Sequence, residues 1–194
     1  SSQNILARYL SNGDLDPSFG DHGMTLLTNG YASAMSLQSD GKIVLIGSSY
    51  IYSTSSYQYR LTRLNANGSL DMSFGESGIT SAMPGTSNVL AIQPDGKIAV
   101  AGKAYKNQQT GFSPELIMLT RYQANGRLDM SFGGAGQIVT DLGMEYATIK
   151  SLWIQPDGKL VIAGTELLLF FMRFNPDGTP DLGLGTNGAV LTAS

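Results

Sequence analysis

One stretch of the chain decides the fold, Arg63-Leu64-Asn65-Ala66-Asn67-Gly68-Ser69-Leu70-Asp71, which continues into Ser73-Phe74-Gly75. Three further versions of it begin at Arg8, Arg121 and Arg173, at spacings of 55, 58 and 52 residues. The last version loses the Ser-Phe-Gly ending and has Gly183-Leu184-Gly185 instead. A period slightly above 50 residues indicates that one supersecondary unit is repeated along the chain.

A second block recurs between the copies of the first, and it is centred on Asp-Gly-Lys. Its three copies are residues 37–42, 92–97 and 154–159. Each copy lies between two short apolar segments, and Asp-Gly in that setting predicts a β-hairpin with a type I′ turn. The Asn-Gly of the first block predicts a second hairpin turn in every repeat.

Each repeat therefore holds four short strands, two around Asp-Gly, one before Asn-Gly and one that closes the unit. No window carries apolar residues at helical spacing over three turns, so we expect no long helix. Four antiparallel strands in about 50 residues are typical of a β-propeller blade. A β-sandwich is the alternative, but it does not explain the period.

The prediction is an all-β, propeller-like array of four-stranded antiparallel blades in one domain, residues 1–194. The chain starts in the third strand of a blade, which gives a half blade (1–30) and three full blades (31–84, 85–146 and 147–194). Propellers have 4–8 blades around a channel, so we predict self-association of two chains, a homodimer, to complete a ring. A four-blade monomer with one deficient blade is the alternative.

Four residues of the last repeat are predicted to lie at that interface: Trp153, Leu167, Leu169 and Phe170. Trp153 stands where the other repeats have Ser36 and Ala91, so its larger side chain must fill space that those blades lack. The segment 167–171 is wholly apolar, whereas the equivalent residues of the second repeat are largely polar. Burial within its own blade is the other explanation for this segment.

Composition excludes several functional classes. The 194 residues include no cysteine, which excludes disulfides, thiol nucleophiles and thiolate metal sites. A net charge of −3 with scattered Lys and Arg argues against a nucleic-acid partner, because such binding needs a basic face. The longest apolar run, 167–172, is too short for a membrane span, which needs about 20 residues.

No catalytic residue and no metal ligand can be assigned. His22 is the only histidine, so any Ser-His-Asp set would need it, and nothing in the sequence marks its partners. The chain also has no second His or Cys to join it at a metal. Asp14, Asp16 and Asp21 form a small acidic cluster that could hold calcium, but they lack the spacing of a 12-residue calcium loop. The sequence gives no reason to call the protein an enzyme, and we expect no cofactor, with calcium as the one candidate.

Every repeat begins its first block with an arginine and has an aspartate eight residues later. We predict that these residues pair within each blade, because the arginine fork suits a carboxylate. A ring of anion-binding guanidinium groups is the alternative. The pairs are Arg8 with Asp16, Arg63 with Asp71, Arg121 with Asp129, and Arg173 with Asp181.

Ligand-binding residues are predicted where the repeats disagree, in the Tyr- and Ser-rich insertions between the second and third strands of the second and third repeats. Tyrosine and serine dominate adaptable recognition loops, and tyrosine faces stack on sugar rings. A solvated loop or an extended hairpin is the alternative reading of these insertions. The predicted ligand-binding residues are Tyr50, Tyr52, Tyr57, Tyr59, Tyr105 and Phe112.

The combined motif, Asn-Gly-x-Leu-Asp-x-Ser-Phe-Gly followed by Gln-Pro-Asp-Gly-Lys and an apolar strand, resembles the delta-sixty repeat of bacterial secreted and surface proteins. The resemblance covers nearly the whole chain and departs from the pattern at residues 180–185. It implies a β-propeller-like fold and export, and it carries no catalytic residues. No signal peptide is visible, so one has been removed or never existed.

The resulting expectation is a non-catalytic recognition or scaffold module, secreted or at the cell surface, that binds a glycan or a protein through its tyrosine-rich loops. The alternative is a calcium-dependent propeller hydrolase or lactonase with its site at one end of the channel. That alternative predicts several carboxylate or amide side chains converging there.

Overall fold

The computed structural model describes residues 4–27, 31–105, 115–144 and 146–192, and every regular element within these ranges is a β-strand. The strands are β1 (Asn4–Ala7), β2 (Met24–Leu27), β3 (Tyr31–Leu37), β4 (Ile43–Ile51), β5 (Ser56–Leu64), β6 (Met83–Pro84), β7 (Thr86–Ile92), β8 (Ile98–Tyr105), β9 (Glu115–Tyr122), β10 (Gln137–Thr140), β11 (Thr148–Ile154), β12 (Leu160–Thr165), β13 (Leu169–Phe174) and β14 (Ala189–Leu191). Within these ranges there is no helix that could cross a membrane.

The strands form four antiparallel sheets in which spatial order follows chain order. We call them blade 1 (β1–β2), blade 2 (β3–β6), blade 3 (β7–β10) and blade 4 (β11–β14). Sequential pairing through hairpins is the up-and-down arrangement of a propeller blade. The predicted all-β array, with two strands followed by three four-stranded sheets, is confirmed.

The Asp-Gly turns differ from the predicted type. Gln38 N–H donates to the Lys42 carbonyl at 2.8 Å, and Gly41 N–H donates to the Gln38 carbonyl at 3.0 Å, so the loop has three residues. Gly41 has a φ of 82°, but Asp40 does not have the positive φ that a type I′ turn requires of both central residues. The type I′ prediction is wrong because Asp40 Oδ1 instead accepts the Lys42 N–H at 3.1 Å.

Neighbouring blades pack face to face through apolar side chains, and the first strand of each full blade lies against the first strand of the next. Blade 1 covers Ile43 and Leu45 of blade 2 with Phe19. Blades 2 and 3 share a core that includes Val44, Tyr59 and Val100. Blades 3 and 4 share a second core, which includes Ala99, Leu119, Ile149, Ile162 and Phe170.

The array is open at both ends. Successive residues of a strand point to opposite faces, and Leu152 of β11 belongs to the core shared with blade 3, so Trp153 faces away from it and is 71% exposed. At the other end, Ile5 of β1 is 61% exposed. A closed four-blade ring would bury both side chains, so the single chain is an open arc.

Candidate functional site

An aspartate carboxylate organises the turn between the last two strands of each blade, and in blades 2 to 4 this carboxylate is buried. In blade 2, Asp71 Oδ2 accepts hydrogen bonds from Arg63 Nε at 2.7 Å and from Lys42 Nζ at 2.9 Å. Its other oxygen, Oδ1, accepts from the backbone N–H of Ser73 at 3.1 Å and from the Ser73 hydroxyl at 2.6 Å. Four donors therefore fix one carboxylate, and with it the third strand and the turn that follows.

The arginine–aspartate pair occurs in all four blades, so the predicted pairing is confirmed. The Nε–Oδ2 distances are 2.8 Å for Arg8–Asp16, 2.7 Å for Arg63–Asp71, 2.8 Å for Arg121–Asp129 and 2.5 Å for Arg173–Asp181. In blades 2 to 4 the lysine of Asp-Gly-Lys joins the same aspartate, which the sequence analysis missed although the lysine recurs.

The arginine also connects its blade to the next one. Arg63 Nη1 donates to the carbonyl of Ala124 in the turn of blade 3 at 2.7 Å. Beside it, Gly75 N–H donates to the Asn125 carbonyl at 2.8 Å. We call this pair of hydrogen bonds the inter-blade joint. Two further joints have the same form. Arg8 and Gly20 of blade 1 donate to the carbonyl groups of Ala66 and Asn67 in blade 2, respectively. Arg121 and Gly133 of blade 3 donate to those of Pro176 and Asp177 in blade 4.

An aromatic ring lies beneath the guanidinium group in each of the first three blades. The Cζ atom of Arg63 is 4.4 Å from the centre of the Phe74 ring, and Arg8 and Arg121 lie over Phe19 and Phe132 in the same way. A cation above the face of an aromatic ring is attracted by its quadrupole. The Ser-Phe-Gly ending of the repeat therefore supplies a buried support for the joint.

Hydrogen bonds hold these carboxylates in the charged form. Burial alone would raise the pKa of Asp129, but hydrogen bonds from Ser131 and Arg121, together with the Arg121 charge, lower it to about 2. The Lys159 hydrogen bond is the main cause that lowers the pKa of Asp181 to about 2. At Asp71, burial is again outweighed by hydrogen bonds from Ser73, Lys42 and Arg63, which lower its pKa.

We expect the protein to lose stability as the pH falls from about 4 to about 2. The ordinary aspartate value of 3.8 applies to the unfolded chain, and the folded pKa of Asp129 is about 2. Between these values the unfolded state binds more protons, so the stabilisation present above pH 4 disappears as acid is added. Urea midpoints measured between pH 5 and pH 2.5 test this, with Asp129→Asn expected to show a shallower decline. A midpoint unchanged down to pH 2.5 would contradict it.

A cluster of tyrosine rings lies where the long β4–β5 hairpin of blade 2 extends beyond the rest of the sheet. Tyr50 and Tyr57 are paired across the two strands, with ring centres 5.0 Å apart. Tyr52 stands edge-on to Tyr50 at 5.1 Å and is 87% exposed. Tyr105, at the end of β8 in blade 3, approaches Tyr57 at 6.1 Å. We call these four residues the tyrosine cluster.

Tyr59, a fifth residue predicted to bind a ligand, does not belong to this cluster. Tyr59 is fully buried between blades 2 and 3, and its hydroxyl donates to Thr120 Oγ1 at 2.8 Å. Its prediction as a ligand-binding residue is wrong because it lies two residues further into the sheet than Tyr57, where blade 3 covers that face. Burial also raises the pKa of the Tyr59 hydroxyl. Phe112 lies outside the described residues.

Three of the four predicted interface residues are exposed on blade 4. Trp153 and Leu169 lie on its uncovered face, and Leu167, in the turn between β12 and β13, is 95% exposed. Phe170 is fully buried in the core shared with blade 3, so its prediction as an interface residue is wrong. Alternation along β13 explains the difference, since Leu169 and Phe170 face opposite sides of the sheet.

The acids predicted as a calcium cluster have separate partners. Asp16 pairs with Arg8, Asp14 accepts from the Asn12 amide at 2.8 Å, and Asp21 lies 3.6 Å from His22. In the described ranges, no three His, Cys, Asp or Glu side chains lie close enough to hold a metal ion.

The sheets and their joints define the class, an all-β repeat protein assembled from propeller blades. A family model described as a domain of unknown function (DUF5122) beta-propeller matches residues 1–19, 38–74, 93–132 and 155–183. These segments make up more than half of the sequence and contain all four copies of the arginine–aspartate block, so the chain belongs to the DUF5122 β-propeller family. Neither a curated protein nor a solved structure gives a significant match.

Proposed function

We propose that this protein is a non-catalytic recognition module that binds a glycan or protein ligand through the tyrosine cluster. The observation that carries the proposal is the position of Tyr50, Tyr52 and Tyr57, whose rings contact one another while remaining exposed. Folding does not account for this exposure, since the fold buries aromatic residues such as Phe74 and Tyr59 completely. Tyr105 extends the surface to a second blade.

The chemistry of the cluster favours a ligand with alternating apolar and hydroxyl-rich faces. Tyrosine rings offer wide contact area with little loss of side-chain entropy, and their hydroxyl groups offer hydrogen bonds at the rim. Sugar rings present complementary CH faces and hydroxyl groups. The negative net charge disfavours polyphosphate ligands such as nucleic acids.

We expect Tyr50→Ala, Tyr52→Ala and Tyr57→Ala each to weaken ligand binding about 10-fold or more, the loss typical of a central aromatic contact. The probe is the strongest glycan found on a printed array, or the strongest binder on an array of extracellular proteins, titrated by calorimetry. Tyr146→Ala is the matched control, because Tyr146 is exposed and belongs to no part of the cluster. Tyr59 is not a suitable variant, since its truncation would disrupt the core.

Full binding by a variant that carries all three substitutions would contradict the proposal. So would the failure of both arrays to provide a ligand whose binding depends on the tyrosine cluster. The proposal assigns no cofactor. A rise in melting temperature on addition of calcium would favour the alternative, a calcium-dependent hydrolase or lactonase, because a ligand that binds only the native state stabilises it.

We also propose that the module is exported by a bacterium and acts in the medium or at the cell surface. The delta-sixty resemblance supports this, and so does the low charged fraction of 14%. Fractionation of expressing cells is expected to find the protein outside the cytoplasm, and retention in the cytoplasm would contradict export. Finally, we propose that the chain self-associates, because its two open ends expose apolar faces that normally cause association.

A further inference from the structure

We propose that the tyrosine cluster binds a neutral, twisted oligosaccharide chain, and that its rings act as successive contacts for about four sugar units. The inference rests on the proposed function and narrows the ligand from a glycan or a protein to one chemical class. It follows from the spacing, tilt, charge and anchoring of rings that lie on blades 2 and 3.

The four rings of the cluster form a row. Ring contacts run from Tyr52 to Tyr50, on to Tyr57 and then to Tyr105, with centres 5.1, 5.0 and 6.1 Å apart. Within the described residues, Tyr52 makes no ring contact with Tyr57 or Tyr105. Each step along the row is close to the advance of one sugar unit along an oligosaccharide. A chain laid along the row therefore meets a new ring at each unit.

The planes of the rings turn along this row. Tyr50 is inclined by 86° to Tyr52 and by 64° to Tyr57, and Tyr57 is inclined by 30° to Tyr105. A crystalline polysaccharide surface or a flat ribbon-like chain requires rings that are nearly coplanar. In malto- and laminari-oligosaccharides each sugar is rotated against the last, so their faces point in changing directions. The tilts therefore favour a twisted single chain.

The hairpin that carries three of the rings is uncharged. It contains no Asp, Glu, Lys or Arg between Ile43 and Tyr59. Lys103, two residues before Tyr105 on β8, already interacts with another residue. A carboxylate, sulfate or phosphate group on the ligand would lose water at the hairpin without meeting an opposite charge there, which costs binding free energy. The cluster accordingly favours neutral sugars over acidic ones.

The ring hydroxyl groups of the cluster can bond to the sugars. Within the part of the chain that the structure describes, the hydroxyl groups of Tyr50, Tyr52 and Tyr57 make no hydrogen bond, whereas that of buried Tyr59 donates one. A tyrosine hydroxyl both donates and accepts, and so does each hydroxyl group of a sugar. The same side chains thus offer ring faces to the CH groups of the chain and polar atoms to its edge.

The hairpin is anchored just below the cluster. The Ser48 hydroxyl lies 3.0 Å from that of buried Ser87 in blade 3, and the Ser87 N–H donates to Ser48 Oγ at 3.0 Å. Gly85 N–H donates to the Tyr57 carbonyl at 2.9 Å. These bonds fix the strands that carry Tyr50 and Tyr57 before a ligand arrives, so binding loses less conformational entropy.

The first measurement titrates the full chain by calorimetry with malto- and laminari-oligosaccharides, from the disaccharide to the hexasaccharide. We expect the dissociation constant to fall with each added unit and to level off at about four units, one for each ring. Added salt is expected to leave it unchanged, because no charged contact is screened. An affinity that does not rise beyond the disaccharide would overturn the row of contacts.

The second measurement tests the far end of the row. Tyr105→Ala is expected to raise the dissociation constant of the tetrasaccharide about 10-fold and that of the disaccharide less than about twofold, because Tyr50 and Tyr57 still hold the short chain. Tyr146→Ala is the matched control, an exposed tyrosine outside the cluster. Unchanged circular dichroism verifies that both variants fold. Equal losses for the two chain lengths would overturn the contact on blade 3.

Three further ligands separate this inference from the proposed function: cellohexaose as a flat neutral chain, hexagalacturonate as an acidic chain, and the strongest binder on the array of extracellular proteins. Tighter binding of cellohexaose or hexagalacturonate than of the twisted neutral chains would overturn the inference and leave glycan recognition intact. Cluster-dependent binding of the protein, with no glycan bound, would overturn the inference and leave the recognition module intact. Absence of any cluster-dependent ligand would overturn both.

Discussion

Replacing Asp71 by alanine is expected to lower the free energy of unfolding by about 3–5 kcal/mol. The substitution leaves the positive charges of Arg63 and Lys42 without a carboxylate, in a site where Arg63 is itself buried. It also removes the acceptor of both Ser73 donors. A loss of this size is a large fraction of the total stability of a natural domain, about 5–15 kcal/mol. Urea unfolding followed by circular dichroism measures it.

Asp14→Ala is the control for Asp71→Ala. Asp14 also lies in a repeat turn, but it is exposed, and among the described residues its side chain bonds only to Asn12, so the change is expected to stay within about 0.5 kcal/mol. If Asp71→Ala cost less than about 1 kcal/mol, the carboxylate would not organise the blade in the way that its four donors indicate.

Replacing Phe74 by alanine is expected to cost about 3–5 kcal/mol, the range for a large ring removed from a packed core. Phe74 is fully buried beneath the guanidinium group of Arg63. Its ring also contacts the turn of blade 3 at Gly126, where an added Cβ atom would lie only 2.9 Å from the ring carbons. The substitution therefore removes packing within blade 2 and at its joint with blade 3.

The chain provides an internal comparison for Phe74. Leu184 stands at the equivalent position of blade 4, where no further blade covers the turn, and it is half-buried. Leu184→Ala is expected to cost less than half as much as Phe74→Ala in the same urea experiment. Equal losses at the two positions would show that the neighbouring blade does not contribute to the packing of the ring.

The repeated elements were predictable because the same local chemistry recurs. The eight-residue interval from Arg63 to Asp71 is closed by a hairpin turn, so their pairing follows from sequence alone. The contribution of Lys42 was not predicted, since it comes from a different hairpin and reaches Asp71 only once the sheet has formed. The predicted turn type was wrong. An Asp-Gly sequence fits both a two-residue and a three-residue loop, and here the Asp40 side chain stabilises the three-residue loop.

The candidate site was predictable in part. The insertion of the second repeat identified the hairpin that carries Tyr50, Tyr52 and Tyr57, and the insertion of the third repeat identified Tyr105. Burial depends on which face of its strand a residue occupies and on how far the neighbouring blade extends along that strand. Tyr59 and Phe170 were therefore placed on the surface, although neighbouring blades cover them completely.

Amide hydrogen exchange at four equivalent glycines is the most direct test of an array held together by repeated joints. We expect slow exchange at Gly20, Gly75 and Gly133, whose N–H groups donate to the next blade, and fast exchange at Gly185, whose N–H donates to no carbonyl of the described residues. Equally fast exchange at Gly75 and Gly185 would contradict the joints on which the arrangement of the blades depends.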